Sequence, residues 1–145
     1  MEFKFIVEGQ PVPYTRTTQK QKWVDKRWQK YIDYRAKIQV AFFKSVETHP
    51  MKKYFATSMV TKNKPLDTKE TKIYVSIKMF FENKKHGDPD NIYKGAIDAL
   101  FVSDKYIAGF FDFDYDEISP RLEVTICKAR KEWFNIIRHW NKDSI

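Results

Sequence analysis

Two aspartates and a lysine with a spacing suited to phosphate chemistry lie in the segment HGDPDNIYKGAIDAL, residues 86–100. Asp88 and Asp90 flank a proline, and Lys94 follows Asp90 at the distance of one helical turn. Carboxylate oxygens bind Mg²⁺, and a lysine ammonium nearby stabilises negative charge that develops on a phosphoryl group. These residue types, in this order, favour metal-assisted hydrolysis of a phosphodiester.

A second acidic cluster, DFDYDE at residues 112–117, stands out in a chain whose formal net charge is +8. Asp112, Asp114 and Asp116 alternate with aromatic residues, so in an extended segment all three point to one side. The geometry permits any of them to reach a metal ion held by Asp88 and Asp90. The residues alone leave that choice open.

The first cluster also has a purely structural interpretation. Pro89 suits the first position of a helix and keeps the preceding residue out of helical geometry, which makes Asp88 a natural N-cap. Asp90 and Lys94 could form a plain helix ion pair that contributes only about 0.2–0.5 kcal/mol. Asp98 lies on the same stripe and is interpreted as a structural anchor. For His86, a bystander role in a loop is favoured over proton transfer.

The elements that would position these residues follow from hydrophobic periodicity. Alternation predicts half-buried strands, and apolar residues at three- and four-residue steps predict amphipathic helices. The predicted strands cover residues 2–8, 71–81 and 121–127, and the predicted helices cover residues 23–46, 89–101 and 131–140. Because each strand buries one face, we expect a small α/β (α+β) domain with helices over a mixed or antiparallel sheet.

The size and composition of the chain limit the domain count and the metal chemistry. A chain of 145 residues with 42% hydrophobic residues can build one compact core, so residues 1–145 are predicted to form a single domain. Cys127 is the only cysteine, which excludes an intrachain disulfide. With three widely spaced histidines, it also excludes familiar zinc-ligand spacings. Any bound metal would need carboxylate ligands.

The charge balance points to a polyanionic partner. Lys and Arg number 27 against 19 Asp and Glu, which favours nucleic acid first and a membrane surface second, although a solvated lysine-rich surface gives the same balance. Lys84, Lys85 and Arg16 are the candidate phosphate contacts. The sequence has no apolar run of membrane-spanning length and begins without a signal-peptide pattern, so we expect a cytoplasmic protein and no membrane partner.

The segment DPDNIYKGAIDAL resembles the signature of the RusA family of Holliday junction resolvases, Asp-x-Asp-Asn-x-x-Lys-x-x-x-Asp-Ala-Leu, at every fixed position. A later family motif, in which an aromatic stretch leads to two adjacent aspartates, is similar to AGFFDFDYDEI at residues 108–118. Here the aspartates alternate and no Asp-Asp pair exists. Alignment from either end of the motif selects Asp114, with Asp116 in reserve.

The resemblance implies a RusA-like fold and a homodimeric, metal-dependent endonuclease that resolves Holliday junctions by paired nicks. Such enzymes act in DNA recombination and repair and are often of phage or prophage origin. Asp88, Asp90 and Asp114 would hold Mg²⁺, or Mn²⁺ in its place, and Lys94 would complete the catalytic set. Two alternatives are a non-catalytic basic nucleic-acid-binding protein and a metal-dependent nuclease that prefers forks, flaps or RNA.

Overall fold

The fold is taken from a computed structural model, which describes residues 2–15, 26–48, 71–101 and 107–130. In these ranges the chain forms four strands and two helices. In chain order they are β1 (Glu2–Glu8), α1 (Lys26–Glu47), β2 (Thr71–Phe81), α2 (Pro89–Leu100), β3 (Ile107–Tyr115) and β4 (Arg121–Arg130).

The four strands form one mixed sheet in the order β1-β4-β2-β3. β4 pairs antiparallel with both β1 and β2, whereas β2 and β3 run parallel. A parallel pair needs a crossover connection, and α2 supplies it here. As a result, the carboxyl ends of β2 and β3 lie at the same edge of the sheet, which is also where α2 begins.

The core lies between one face of the sheet and the two helices. Along β1 and β4 the buried residues alternate with residues of the other face, as in Phe3, Phe5 and Val7 of β1. Phe42 of α1 packs edge-on against Phe3 and Phe5 with ring centroids 5.5 and 5.8 Å apart. Residues of both helices and of β1, β2 and β4 therefore share a single apolar cluster.

The two helices are joined by polar contacts as well as by the core. The Tyr31 hydroxyl of α1 donates to the Asp98 carboxylate of α2 at 3.0 Å, and Arg35 lies 3.8 Å from the same carboxylate. Burial, followed by the Asp98 charge, raises the pKa of Tyr31 well above its usual range. Asp98 thus anchors α2 to α1, in agreement with its structural interpretation.

The fold class predicted from the sequence is confirmed, because helices pack over a small mixed sheet. The strands at residues 2–8 and 71–81 have the predicted bounds, and the predicted helix at residues 89–101 is α2. The predicted helix at residues 131–140 lies outside the described residues. The acidic segment at residues 108–118 was not assigned an element from the sequence, and most of it is β3.

Within the described ranges, neither helix combines the length and the apolar character needed to cross a lipid bilayer.

Candidate functional site

The candidate site lies where β2 gives way to α2. β2 ends at Phe81, residues 82–88 form a loop, and Asp88 is the N-cap of α2 with extended backbone angles (φ −63°, ψ 123°). Its carboxylate accepts a hydrogen bond from the Asp90 amide at 3.0 Å, and its carbonyl accepts one from the Ile92 amide at 3.1 Å. Pro89 follows at the start of the helix, where its missing N–H costs no hydrogen bond.

Asp90 in the first turn of α2 forms an ion pair with Lys94 in the second turn. Lys94 Nζ lies 3.0 Å from Asp90 Oδ2, and the two side chains are 65% and 49% exposed. An exposed pair at this spacing adds little to stability, so the contact leaves both groups available to a ligand at small cost. We call Asp88, Asp90 and Lys94 the carboxylate site.

The donor chemistry of the carboxylate site suits a magnesium ion. One oxygen of Asp88 accepts the Asp90 amide, and Asp90 meets Lys94 through one oxygen, so each carboxylate has lone pairs directed to solvent. Mg²⁺ is usually held by one or two carboxylates together with water and substrate phosphates, and not by a closed protein cage. Asp88 and Asp90 therefore fit a metal that a phosphodiester would help to bind.

Asp114 lies on the other side of the sheet. In the parallel register Asp114 pairs with Phe80 and Asp112 with Lys78, whereas the buried Phe81 pairs with Tyr115. Since paired residues share a face, Asp112 and Asp114 occupy the face away from the helices, and the structure does not bring them to Asp88 and Asp90. Asp114 as third metal ligand stays a prediction.

Asp116 is engaged in the turn between β3 and β4. Its carboxylate accepts hydrogen bonds from the Arg121 guanidinium at 2.9 Å and from the amides of Ser119 at 3.0 Å and Ile118 at 3.2 Å. The Arg121 hydrogen bond is the main reason why the pKa of Asp116 lies below its ordinary value. These contacts give Asp116 a structural role in the turn.

In the ranges covered by the structure, no group of three or more His, Cys, Asp or Glu side chains is placed to hold a metal ion. Of the candidate phosphate contacts, Lys84 and Lys85 are exposed in the loop before Asp88. Arg16 lies outside the described residues. The carboxylate site and its two neighbouring lysines thus share one edge of the domain.

Sequence reasoning missed a group of aromatic rings beside the carboxylate site. His86 stacks on Phe81 with ring centroids 3.7 Å apart and planes 6° apart. His86 Nε2 lies 3.0 Å from the Tyr115 hydroxyl, and the His86 ring centroid lies 5.9 Å from that of Phe113. The alternation of Phe113 and Tyr115 with the aspartates was visible in the sequence. Their meeting with His86 depends on the parallel pairing of β2 and β3.

Comparison with models of known protein families gives no match, and no curated protein matches the chain.

Proposed function

We propose that this protein is a magnesium-dependent, structure-specific endodeoxyribonuclease that cuts four-way DNA junctions by paired nicks, as the resemblance to the RusA family implies. The observation that carries the proposal is the carboxylate site. Its two carboxylates and one ammonium lie exposed at the N-terminal end of α2, beside the basic loop that contains Lys84 and Lys85. Such an edge can receive a phosphodiester without moving the core.

Each residue of the carboxylate site has a defined task in this proposal. Asp88 and Asp90 would hold Mg²⁺, which when bound supplies charge neutralisation and an acidified water. Lys94 already lies 3.0 Å from Asp90 and would turn to the phosphate oxygens, where its positive charge offsets the charge that develops during hydrolysis. Lys84 and Lys85 would contact flanking phosphates and orient the strand.

The test is incubation of the protein with a synthetic four-way junction, a fork and a linear duplex, each with and without Mg²⁺. We expect cleavage of the junction only when Mg²⁺ is present. Asp90→Asn should abolish cleavage and preserve or tighten junction binding, because removal of a negative charge does not weaken attraction to phosphate. Cleavage by Asp90→Asn at the wild-type rate would reject the metal assignment.

A second candidate is a nucleic-acid-binding protein without cleavage activity. The location of Asp114 on the opposite face of the sheet from α2 favours it, because Asp88 and Asp90 then lack the third carboxylate implied by the resemblance. Junction binding without Mg²⁺-dependent cleavage would support this candidate. Preferential cleavage of the fork, or of a flap or RNA strand added to the same assay, would instead indicate a nuclease of different preference.

Homodimer formation is part of the proposal, since paired nicks need two sites on one junction. Sedimentation of the protein alone and bound to the junction would measure it. We expect two protein chains per junction.

A further inference from the structure

An aromatic patch lies next to the carboxylate site at the carboxyl end of the parallel strands. We define it as His86, Phe113 and Tyr115, with the buried Phe81 beneath. Phe113 and Tyr115 meet edge-on with ring centroids 6.2 Å apart, and the His86 ring lies 5.6 Å from that of Tyr115. His86 belongs to the loop that ends at Asp88, so the patch and the carboxylate site are neighbours.

The exposure of the patch exceeds what packing alone requires. Phe81 is fully buried and already supports the loop by stacking on His86, whereas Phe113 and Tyr115 are each 43% exposed. The exposed apolar surface of these two neighbouring rings is in unfavourable contact with water, and a ligand could cover it. β3 is the last strand of the sheet, so the side of these rings beyond β3 faces no further strand of the described fold.

Hydrogen bonds hold the patch in shape. His86 Nδ1 lies 2.8 Å from the Gly87 carbonyl oxygen, which can only accept, so Nδ1 carries the proton of this contact. In neutral His86 the Nε2 atom then accepts from the Tyr115 hydroxyl at 3.0 Å. The rings of His86 and Tyr115 are therefore held in place, so a flat ligand that binds them would need to order little of the surface.

The charges around the patch identify its occupant. Lys84 and Lys85 are exposed on the same loop as His86, and the chain as a whole carries a formal charge of +8. Aromatic rings beside lysines match the two parts of a nucleotide, because a base stacks on a ring while its phosphate contacts an ammonium. An apolar peptide would cover the rings but would leave the lysines without a counterpart.

We propose that Phe113 and Tyr115 stack on an unpaired base of the nucleic acid whose backbone meets the carboxylate site. This inference rests on the proposed function for its substrate, nucleic acid, but not for cleavage. A four-way junction or a fork offers an unpaired or unstacked base at its branch point, whereas a continuous duplex does not. The patch would thus contribute to the choice of branched DNA over duplex DNA.

The test measures binding without Mg²⁺ by fluorescence anisotropy. The ligands are a short single-stranded oligonucleotide, the same strand with abasic residues, and the matching duplex. Phe113→Leu removes the ring but keeps apolar bulk, so it measures the loss of stacking. Phe113→Ala also removes the packing of the side chain, so comparison of the two variants shows how much of a loss comes from packing. Phe43→Leu is the matched control, since Phe43 is a 38% exposed ring on α1 outside the patch.

We expect Phe113→Leu and Tyr115→Ala each to weaken binding of the single strand by about 5- to 100-fold. Binding of the abasic strand and of the duplex should be unchanged, and Phe43→Leu should match the wild-type protein with all ligands. Tyr115→Phe keeps the ring and loses only the hydroxyl that contacts His86, so it should retain most of the single-strand affinity that Tyr115→Ala loses.

Equal losses for the intact and abasic strands would overturn the inference, since the rings would then act without a base. Wild-type affinity of Phe113→Leu for the single strand would overturn it too and would leave the rings to a protein partner. These outcomes are separable from failure of the proposed function. A protein that stacks bases but cuts no junction with Mg²⁺ rejects the cleavage proposal alone, and one that cuts junctions without using the rings rejects this inference alone.

Discussion

Asp88 has two roles, and different substitutions at this position can separate them. As the N-cap it satisfies the Asp90 amide, and as a carboxylate it is a proposed metal ligand. Asparagine caps a helix about as well as aspartate but carries no charge. Alanine has no charge and cannot cap the helix. The side chain chosen for substitution therefore decides which task is removed.

We predict that Asp88→Asn keeps the stability of the wild-type protein and loses Mg²⁺-dependent cleavage. Asp88→Ala should lose cleavage and also about 0.5–2 kcal/mol of unfolding free energy. Urea denaturation measures stability, and the junction assay measures cleavage. Full activity of Asp88→Asn would return Asp88 to the role of a cap alone.

Lys94 is the second residue whose roles can be separated. We predict that Lys94→Ala lowers kcat much more than it weakens junction binding, because a charge that acts on the transition state has little effect on the ground state. The unfolding free energy of the Lys94→Ala variant should differ from that of the wild-type protein by no more than about 0.5 kcal/mol, since the ion pair with Asp90 is exposed. Normal turnover of this variant would identify Lys94 as a helix ion-pair partner only.

At the scale of elements, the parallel pairing of β2 and β3 decides which residues meet. Gly109 is paired with Val75, and a Cβ placed on Gly109 would overlap the Val75 carbonyl oxygen and lie 3.0 Å from the Tyr93 hydroxyl. The backbone of Gly109 therefore leaves no room for a side chain at this point. Gly109 is therefore a marker of the register that brings Tyr115 to His86.

We predict that Gly109→Ala destabilises the protein by about 1–3 kcal/mol, because the added methyl group forces the strands apart. Asp112→Ala on the same strand is the control and should change stability by less than about 0.5 kcal/mol, as expected for an exposed side chain. Both are measured as shifts of the urea midpoint. An unchanged midpoint for Gly109→Ala would contradict the pairing of β2 with β3 in this register.

At the scale of the whole molecule, buried tyrosines link stability to alkaline pH. Burial is the first cause that raises the pKa of Tyr31 and of Tyr34 far above the ordinary value, and it raises the pKa of Tyr93 to about 12. Between the unfolded pKa of about 10 and these folded values, only the unfolded chain loses the protons. The contribution of these protonated tyrosines to the unfolding free energy is therefore complete below about pH 10 and decreases as the pH rises above that value.

Tyr34 offers the clearest test, because its hydroxyl is buried and has no hydrogen-bond partner in the described part of the chain. We predict that Tyr34→Phe raises the unfolding free energy near pH 7 by about 1 kcal/mol, since an unsatisfied polar group is removed. Above pH 10 the gap between variant and wild type should widen by up to about 1.4 kcal/mol per pH unit. Lysine titration affects both proteins equally. A difference in unfolding free energy that stays constant above pH 10 would contradict the link between Tyr34 ionisation and stability.

The sequence by itself determined the local features of this protein. Alternation in residues 71–81 predicted β2, and the pair Asp88 and Pro89 predicted both the start of α2 and its cap. The stripe of Asp90, Lys94 and Asp98 followed from helical spacing. These features depend on neighbours within one or two turns of the chain, so composition and spacing are sufficient to predict them.

Only the tertiary structure decided which of these features meet. The parallel run of β2 and β3 places Asp114 on the face away from α2, although the spacing in the sequence was equally compatible with a shared site. The same pairing brings Tyr115 to His86, and the crossing of α1 over α2 brings Tyr31 to Asp98. Strand order and register arise from contacts between residues far apart in the chain, and a one-residue change of register would move every side chain of β3 to the other face.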